Sequence, residues 1–283
     1  MIETTPTFVC ELVLKVSPRV RRALVVRMTA AQWIYNACLG EALKRVALVR
    51  ERKLYRRALG LPKGPERIES FRIVRVSVGF TDSALQRYAI RVRRQAFASH
   101  IDAHVAQKLG SRAFRATNDY LVGKKGCPRP RQPGKLSSIE GKSNLAGIRW
   151  RGDHIEWKGL VLPAIIDSRD PVIAHALSCK VKYVRLIRHV VRSRDLFCAQ
   201  LVCEGIPYRK PSHIVGAGSD AWDAVALQYR SSESLGEVEA VPFRIPENPA
   251  GRERLRAEHM FAMIGQVKYP RPLKQPRLRG VLA

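Results

Sequence analysis

A run rich in glycine, proline and base, Gly123-Lys-Lys-Gly-Cys-Pro-Arg-Pro-Arg-Gln-Pro-Gly-Lys135, divides the chain into two hydrophobic rhythms. The run has no periodicity of its own and reads as a loop or extended segment. Before it, apolar residues recur at spacings of three and four; after it, they follow the pattern of strands. An apolar stretch at the very start, Phe8 to Val16, reads as one more strand, covered on most of its surface, and Pro18 ends it. Strands on both sides of a helical block predict an α+β fold: a small wedge-like or OB-like β-barrel interrupted by a helical insertion.

The helical block has two parts. From Arg19 to Leu59 a first helix is marked by Leu24, Met28, Ala31 and Tyr35, and Gly60-Leu-Pro-Lys-Gly-Pro65 breaks it. Thr81 or Asp82 caps a second long helix, with Leu85, Tyr88, Val92, Ala96, Ile101, Val105 and Leu109 on its apolar stripe. Beyond residue 135 two hairpins are expected. Gly147-Ile-Arg-Trp-Arg-Gly-Asp-His-Ile-Glu-Trp157 turns at Gly152-Asp153, and Val181 to Val191 pairs with Leu196 to Glu204 around Ser193-Arg194-Asp195.

Charge decides which partners such a fold serves. Fifty-one Lys and Arg face 24 Asp and Glu, a formal balance of +27. A compact body with that charge repels itself unless a polyanion neutralises it, and RNA or DNA is the natural one. The excess is uneven. Residues 1 to 215 hold 41 basic against 16 acidic side chains, and residues 216 to 283 hold 10 against 8. The last segment also loses periodicity and is expected to be a tail rather than a packed domain.

Some functions are disfavoured. No run of about 18 apolar residues marks a membrane span, and the N-terminus lacks the basic and apolar regions of a signal peptide, so a cytoplasmic protein is expected. Cys10, Cys38, Cys127, Cys179, Cys198 and Cys203 form no C-x-x-C pair. Cys198 and Cys203, five apart in a strand, face opposite sides and do not share a metal. His100 and His104 stand four apart but lack an evident third ligand. No metal site and no cofactor are expected.

Several segments together resemble the TnpB (OrfB) family of transposon-encoded, RNA-guided DNA nucleases, relatives of the type V CRISPR effectors. The opening strand Cys10-Glu-Leu-Val-Leu and the helix holding Gln32-Trp-Ile-Tyr-Asn36-Ala-Cys-Leu39 resemble the family's first strand and its Y-N-x-x-L helix. Gly134-Lys-Leu-Ser-Ser-Ile-Glu-Gly-Lys-Ser-Asn144, Gly147-Ile-Arg-Trp150 and Trp157-Lys-Gly-Leu160 are similar to its basic joint and barrel strands. Arg192 to Gly205 resembles the hairpin before its nuclease domain. The resemblance spans roughly residues 7 to 216. It implies a barrel that holds guide RNA and a helical insertion that holds the guide–target duplex, read by shape and backbone while base pairing supplies sequence. Guide RNA and target DNA are then the partners.

The side chains expected at the phosphates are Lys124, Lys125, Arg129, Arg131, Lys135, Lys142, Arg149, Arg151, Lys180, Lys182, Arg185 and Arg188. Trp150, with Trp157, offers a stacking face or else packs in the core.

The resemblance stops at the nuclease. The family's next strand opens an RNase H-like domain whose first Asp holds a divalent cation, and hard Mg²⁺ needs such carboxylates. Here the run is Ile214-Val-Gly-Ala-Gly-Ser-Asp220, and Gly218 stands at the Asp position. Asp220 is two residues late and Asp223 falls in the following turn. The later Glu, the final Asp and the zinc ribbon are not recognisable. Ala217-Gly218-Ser219 fits a one-base insertion, since CTG-GAT-CTG, encoding Leu-Asp-Leu, reads GCT-GGA-TCT after one extra G.

Residues 1–18 are thus expected to form the first barrel strand, 19–122 the helical insertion, 123–215 the joint and remaining strands, and 216–283 a non-native tail. A TnpB-like binder unable to cleave is the leading expectation. A nuclease-dead repressor, an unrelated basic RNA-binding protein and a functionless mobile-element remnant stand beside it.

Overall fold

A computed structural model describes residues 5–191 and 194–208. Gly218, Asp220, Asp223 and the expected tail lie outside the described residues. The chain opens with β1 (Thr7–Val13), then α1 (Pro18–Glu51), α2 (Lys53–Gly60), α3 (Pro65–Ser77), α4 (Asp82–Val92) and α5 (Ala103–Leu121). Short strands β2 (Ser138–Glu140), β3 (Arg149–Trp150), β4 (His154–Trp157) and β5 (Leu160–Pro163) follow, then α6 (Pro171–Ser178) and the long hairpin β6 (Val181–Val191) and β7 (Arg194–Glu204).

The helices form where the apolar stripe predicts, with two corrections. The single helix expected over 19–59 breaks at Arg52, whose backbone is extended. The break lets α2 turn back so that Tyr55 meets Phe71 of α3, ring centroids 5.4 Å apart. The second expected helix also divides. After α4 a π-helical turn at Arg93–Phe97 leads to Asp102, whose carboxylate caps α5. His100 and His104 therefore lie on opposite sides of that break and do not share a helix face. The chain folds back so closely that Gly110 of α5 sits on the Leu85 backbone, where a Cβ would stand 2.7 Å from the carbonyl oxygen. Only glycine fits there.

Ala42, Val46, Val49, Val74, Phe80, Leu85 and Leu121 fill one helical core.

The strands form two open antiparallel sheets, one ordered β1-β7-β6-β2 and one ordered β3-β4-β5. No closed barrel is present among the described residues. The expected barrel is replaced by sheets stitched at one corner, where Leu14 bridges Ala164 and Lys15 N–H donates to Pro163 O at 2.8 Å. β2 and β3 have three and two residues, too few to carry a ladder from one sheet to the other. The helical block does enter between β1 and β2, so the first strand pairs with the last, Thr7 opposite Glu204. Leu12, Ile139, Leu186, Ala199 and Leu201 are buried on one face of the larger sheet.

The hairpin at Gly152-Asp153 forms as expected between β3 and β4. A further hairpin joins β4 to β5 through Lys158 and Gly159, both at positive φ (44° and 74°), the signature of a tight I′ turn. In the long hairpin Val191 pairs with Arg194, so β7 starts two residues earlier than expected; residues 192–193 lie outside those described.

Candidate nucleic-acid interface

The basic run after α5 is fixed to α1 by a side-chain clamp. The Arg131 backbone N–H donates to Asn36 Oδ1 at 2.8 Å, and Asn36 Nδ2 donates back to Arg131 O at 2.9 Å. Gln32 Nε2 adds a third bond to the same carbonyl at 3.2 Å. Both side chains sit on one turn of α1, as an i,i+4 pair does. A segment with no secondary structure is thereby held in one place, and its own side chains stay outward: Lys124, Lys125, Arg129, Arg131 and Lys135 are all exposed.

Beneath the clamp lies an open cavity of about 580 Å³ lined by Tyr35, Ala116, Pro128, Arg129, Gln132 and Lys135 among others. Arg112 of α5 stands over the Tyr35 ring at 5.8 Å from its centroid and donates to Ser138 O at 3.1 Å. A second cavity of about 540 Å³ is also lined by α5, through Lys108, Ser111, Phe114 and Arg115, together with Lys142 from the loop after β2.

Ion pairing separates the expected contacts into two sets. Arg149 and Arg151 both bind Glu156, at 3.0 Å each. Arg185 reaches Glu140, Lys180 reaches Glu204, and Arg188 is held by Asp195 at 2.7 Å with both side chains mostly buried. Lys125 pairs with Asp119 on the surface. Among the described residues no carboxylate pairs with Lys124, Arg129, Arg131, Lys135, Lys142 or Lys182. A cation already matched by a carboxylate gains less from a phosphate, because the carboxylate is then left without its partner. The unmatched set is the better phosphate surface, and four of its six members lie on the clamped run.

Trp150 and Trp157 belong to the core. Trp150 is 7% exposed and Trp157 is 1% exposed, so neither ring presents a stacking face. Sequence alone set the two readings level; the strand pattern β3–β4 decides, because Trp150, Ile155 and Trp157 all fall on the buried side.

No family model matches the chain, and no curated protein matches it. The surface therefore speaks through its own chemistry.

Three cations of α5 were not among the expected contacts. Lys108, Arg112 and Arg115 stand at i, i+4 and i+7, one helix face, and the spacing alone marks them. Lys108 Nζ binds Glu140 Oε1 at 2.7 Å. Burial pushes the Glu140 carboxyl up, but the hydrogen bond from Lys108 and the charges of Lys108, Arg185 and Arg115 outweigh it and hold the group below the ordinary glutamate value. Glu140 is thus an anionic pin between α5 and the sheet.

Among the described residues one group offers mixed metal-binding donors, Glu11, His189 and Cys198. The sequence separates Glu11 from His189 by 178 positions, and nothing before strand pairing brings them together. No helix among the described residues is long and apolar enough to cross a membrane.

Proposed function

We propose that the chain is a TnpB-like, RNA-guided binder of nucleic acid, with guide RNA and target DNA as its partners and without a cutting centre. The single observation that carries the binding is the clamped run from Lys124 to Lys135, where Lys124, Arg129, Arg131 and Lys135 are exposed and have no carboxylate partner among the described residues. A pre-ordered cationic strip binds a phosphate chain without first losing loop entropy. The placement of the strip beside α1 and α5 supports contact with a helical polymer along its backbone. The ordered set of TnpB-like segments over residues 7–216 supports the guide as the bound RNA. The Gly at position 218, where the family has its first metal-binding Asp, supports a chain that holds DNA without cleaving it.

Sequencing of RNA copurified with the full chain tests the reading. A discrete RNA from the gene's own flank is expected; a random mixture, or no binding in dilute buffer, overturns it. The contact surface is tested by salt titration. Arg129→Ala and Lys135→Ala should each reduce the slope of log K against log salt by about 0.7–0.9. Arg151→Ala and Lys180→Ala, at cations matched by Glu156 and Glu204, should leave that slope nearly unchanged.

A further inference from the structure

We propose that Glu11, His189 and Cys198 form a zinc-binding site on the face of the larger sheet that lies opposite its core. Strand register builds it. Glu11 and Val13 lie two apart on β1, and Val13 faces Cys198 across to β7. Ile187 of β6 faces the same Cys198, and His189 lies two further along. Residues two apart on a strand share a face, so three neighbouring strands deliver a carboxylate, an imidazole and a thiol to one place.

The distances suit a shared cation. Bonds of about 2.0–2.1 Å at tetrahedral angles place a zinc-bound nitrogen and oxygen about 3.3 Å apart. His189 Nε2 and Glu11 Oε1 are 3.3 Å apart, and all three donor atoms lie within 4.8 Å of one another. The donor set of oxygen, nitrogen and sulfur is the mixture zinc takes and harder cations such as Mg²⁺ do not.

Neighbours orient the carboxylate. Gln200 Nε2 donates to Glu11 Oε2 at 2.7 Å, while Gln200 Oε1 accepts from Arg185 at 3.0 Å. Oε1 is left facing His189. Outer-sphere support of this kind fixes ligand geometry in metal sites. Charge is favourable as well, because one carboxylate and one thiolate together match the charge of a divalent cation within the site. Three protein ligands leave a fourth position for water. The site does not depend on the nucleic-acid reading.

The full chain, stripped with chelator and titrated with Co²⁺ in place of zinc, provides the test. The expected result is the visible absorption of a tetrahedral centre with a thiolate-to-cobalt band, both abolished by one equivalent of Zn²⁺. Cys198→Ser should remove the thiolate band. His189→Ala, at an exposed position that spares the core, should weaken Co²⁺ binding at least about tenfold and keeps the test decisive if the cysteine variant misfolds. Cys127→Ser should change nothing. Absence of a thiolate band in the unaltered chain, its persistence at full affinity in His189→Ala, or its loss in Cys127→Ser would each overturn the site.

Discussion

The carboxylate of Asp102 accepts a hydrogen bond from the indole nitrogen of Trp157 at 2.8 Å, across 55 residues of sequence. Its other oxygen caps α5 by accepting from the backbone N–H of His104 and Val105. One side chain thus ties the start of a helix to the middle strand of the smaller sheet. Arg27 closes the joint from α1, donating to Trp157 O at 2.7 Å and Lys158 O at 2.8 Å and standing over the indole ring. Asp102→Ala should cost about 1 kcal/mol for the lost cap and about 1–3 kcal/mol for the stranded indole N–H. For a domain of this size that is a fall in Tm of roughly 4–16 °C. A thermal melt checks it, and a change under 2 °C would show that the joint does not hold.

Asn36 is a different kind of residue, because its bonds lie at the surface and order a loop rather than a core. Asn36→Ala removes two of the three bonds that fix Arg131, leaving only that from Gln32. Stability should fall by about 1 kcal/mol or less. RNA affinity should fall about three- to tenfold at constant salt, since the run must then be ordered upon binding. Fluorescence anisotropy reads the affinity and circular dichroism confirms the fold. Unchanged affinity would separate the clamp from the interface.

The clamp also shows where sequence reading succeeds and where it ends. Local signals were legible: Thr81 caps α4 through Ala84 N–H, the Gly152-Asp153 turn forms, and β6 pairs with β7. Asp102 was hidden because Ile101, Val105 and Leu109 keep helical spacing across the break it creates. α3 was unassigned, as Val74 is its one buried residue and leaves no stripe to read. Strands on both sides of a helical block suggest a barrel, yet closure depends on ladder length, which two- and three-residue strands do not supply. The basic side chains were legible as a set, but which are matched by carboxylates is a tertiary fact. Arg188 reads like Arg129 in sequence, and only the fold places Asp195 against it.

The pin between α5 and the sheet gives a pH signature. Glu140 is held below the ordinary glutamate value in the fold, so its contribution to stability is fully present above the unfolded value of about 4.3. It is lost as pH falls through the lower, folded value. Tm measured from pH 7 down to pH 3 should therefore drop in this acid window, and Glu140→Gln should start lower at pH 7 and show a flatter decline. A variant as pH-sensitive as the parent would remove Glu140 from the account.

Thiol chemistry offers a probe of the interface without altering any cation. Burial pushes the thiols of Cys10 and Cys203 up to about 11 and that of Cys38 up to about 12, so almost no thiolate forms on them near neutral pH. Cys127, by contrast, is exposed and sits inside the clamped run, two residues before Arg129. A maleimide applied briefly to the native chain should modify Cys127 first. If phosphates lie along that run, saturating RNA should slow the modification at least about tenfold, and high salt should restore it as the complex dissociates. Mass spectrometry of the labelled peptide reads both effects. Equal labelling with and without RNA, under conditions where binding is complete, would place the polymer elsewhere on the molecule and leave the Lys124–Lys135 strip as ordinary solvated charge.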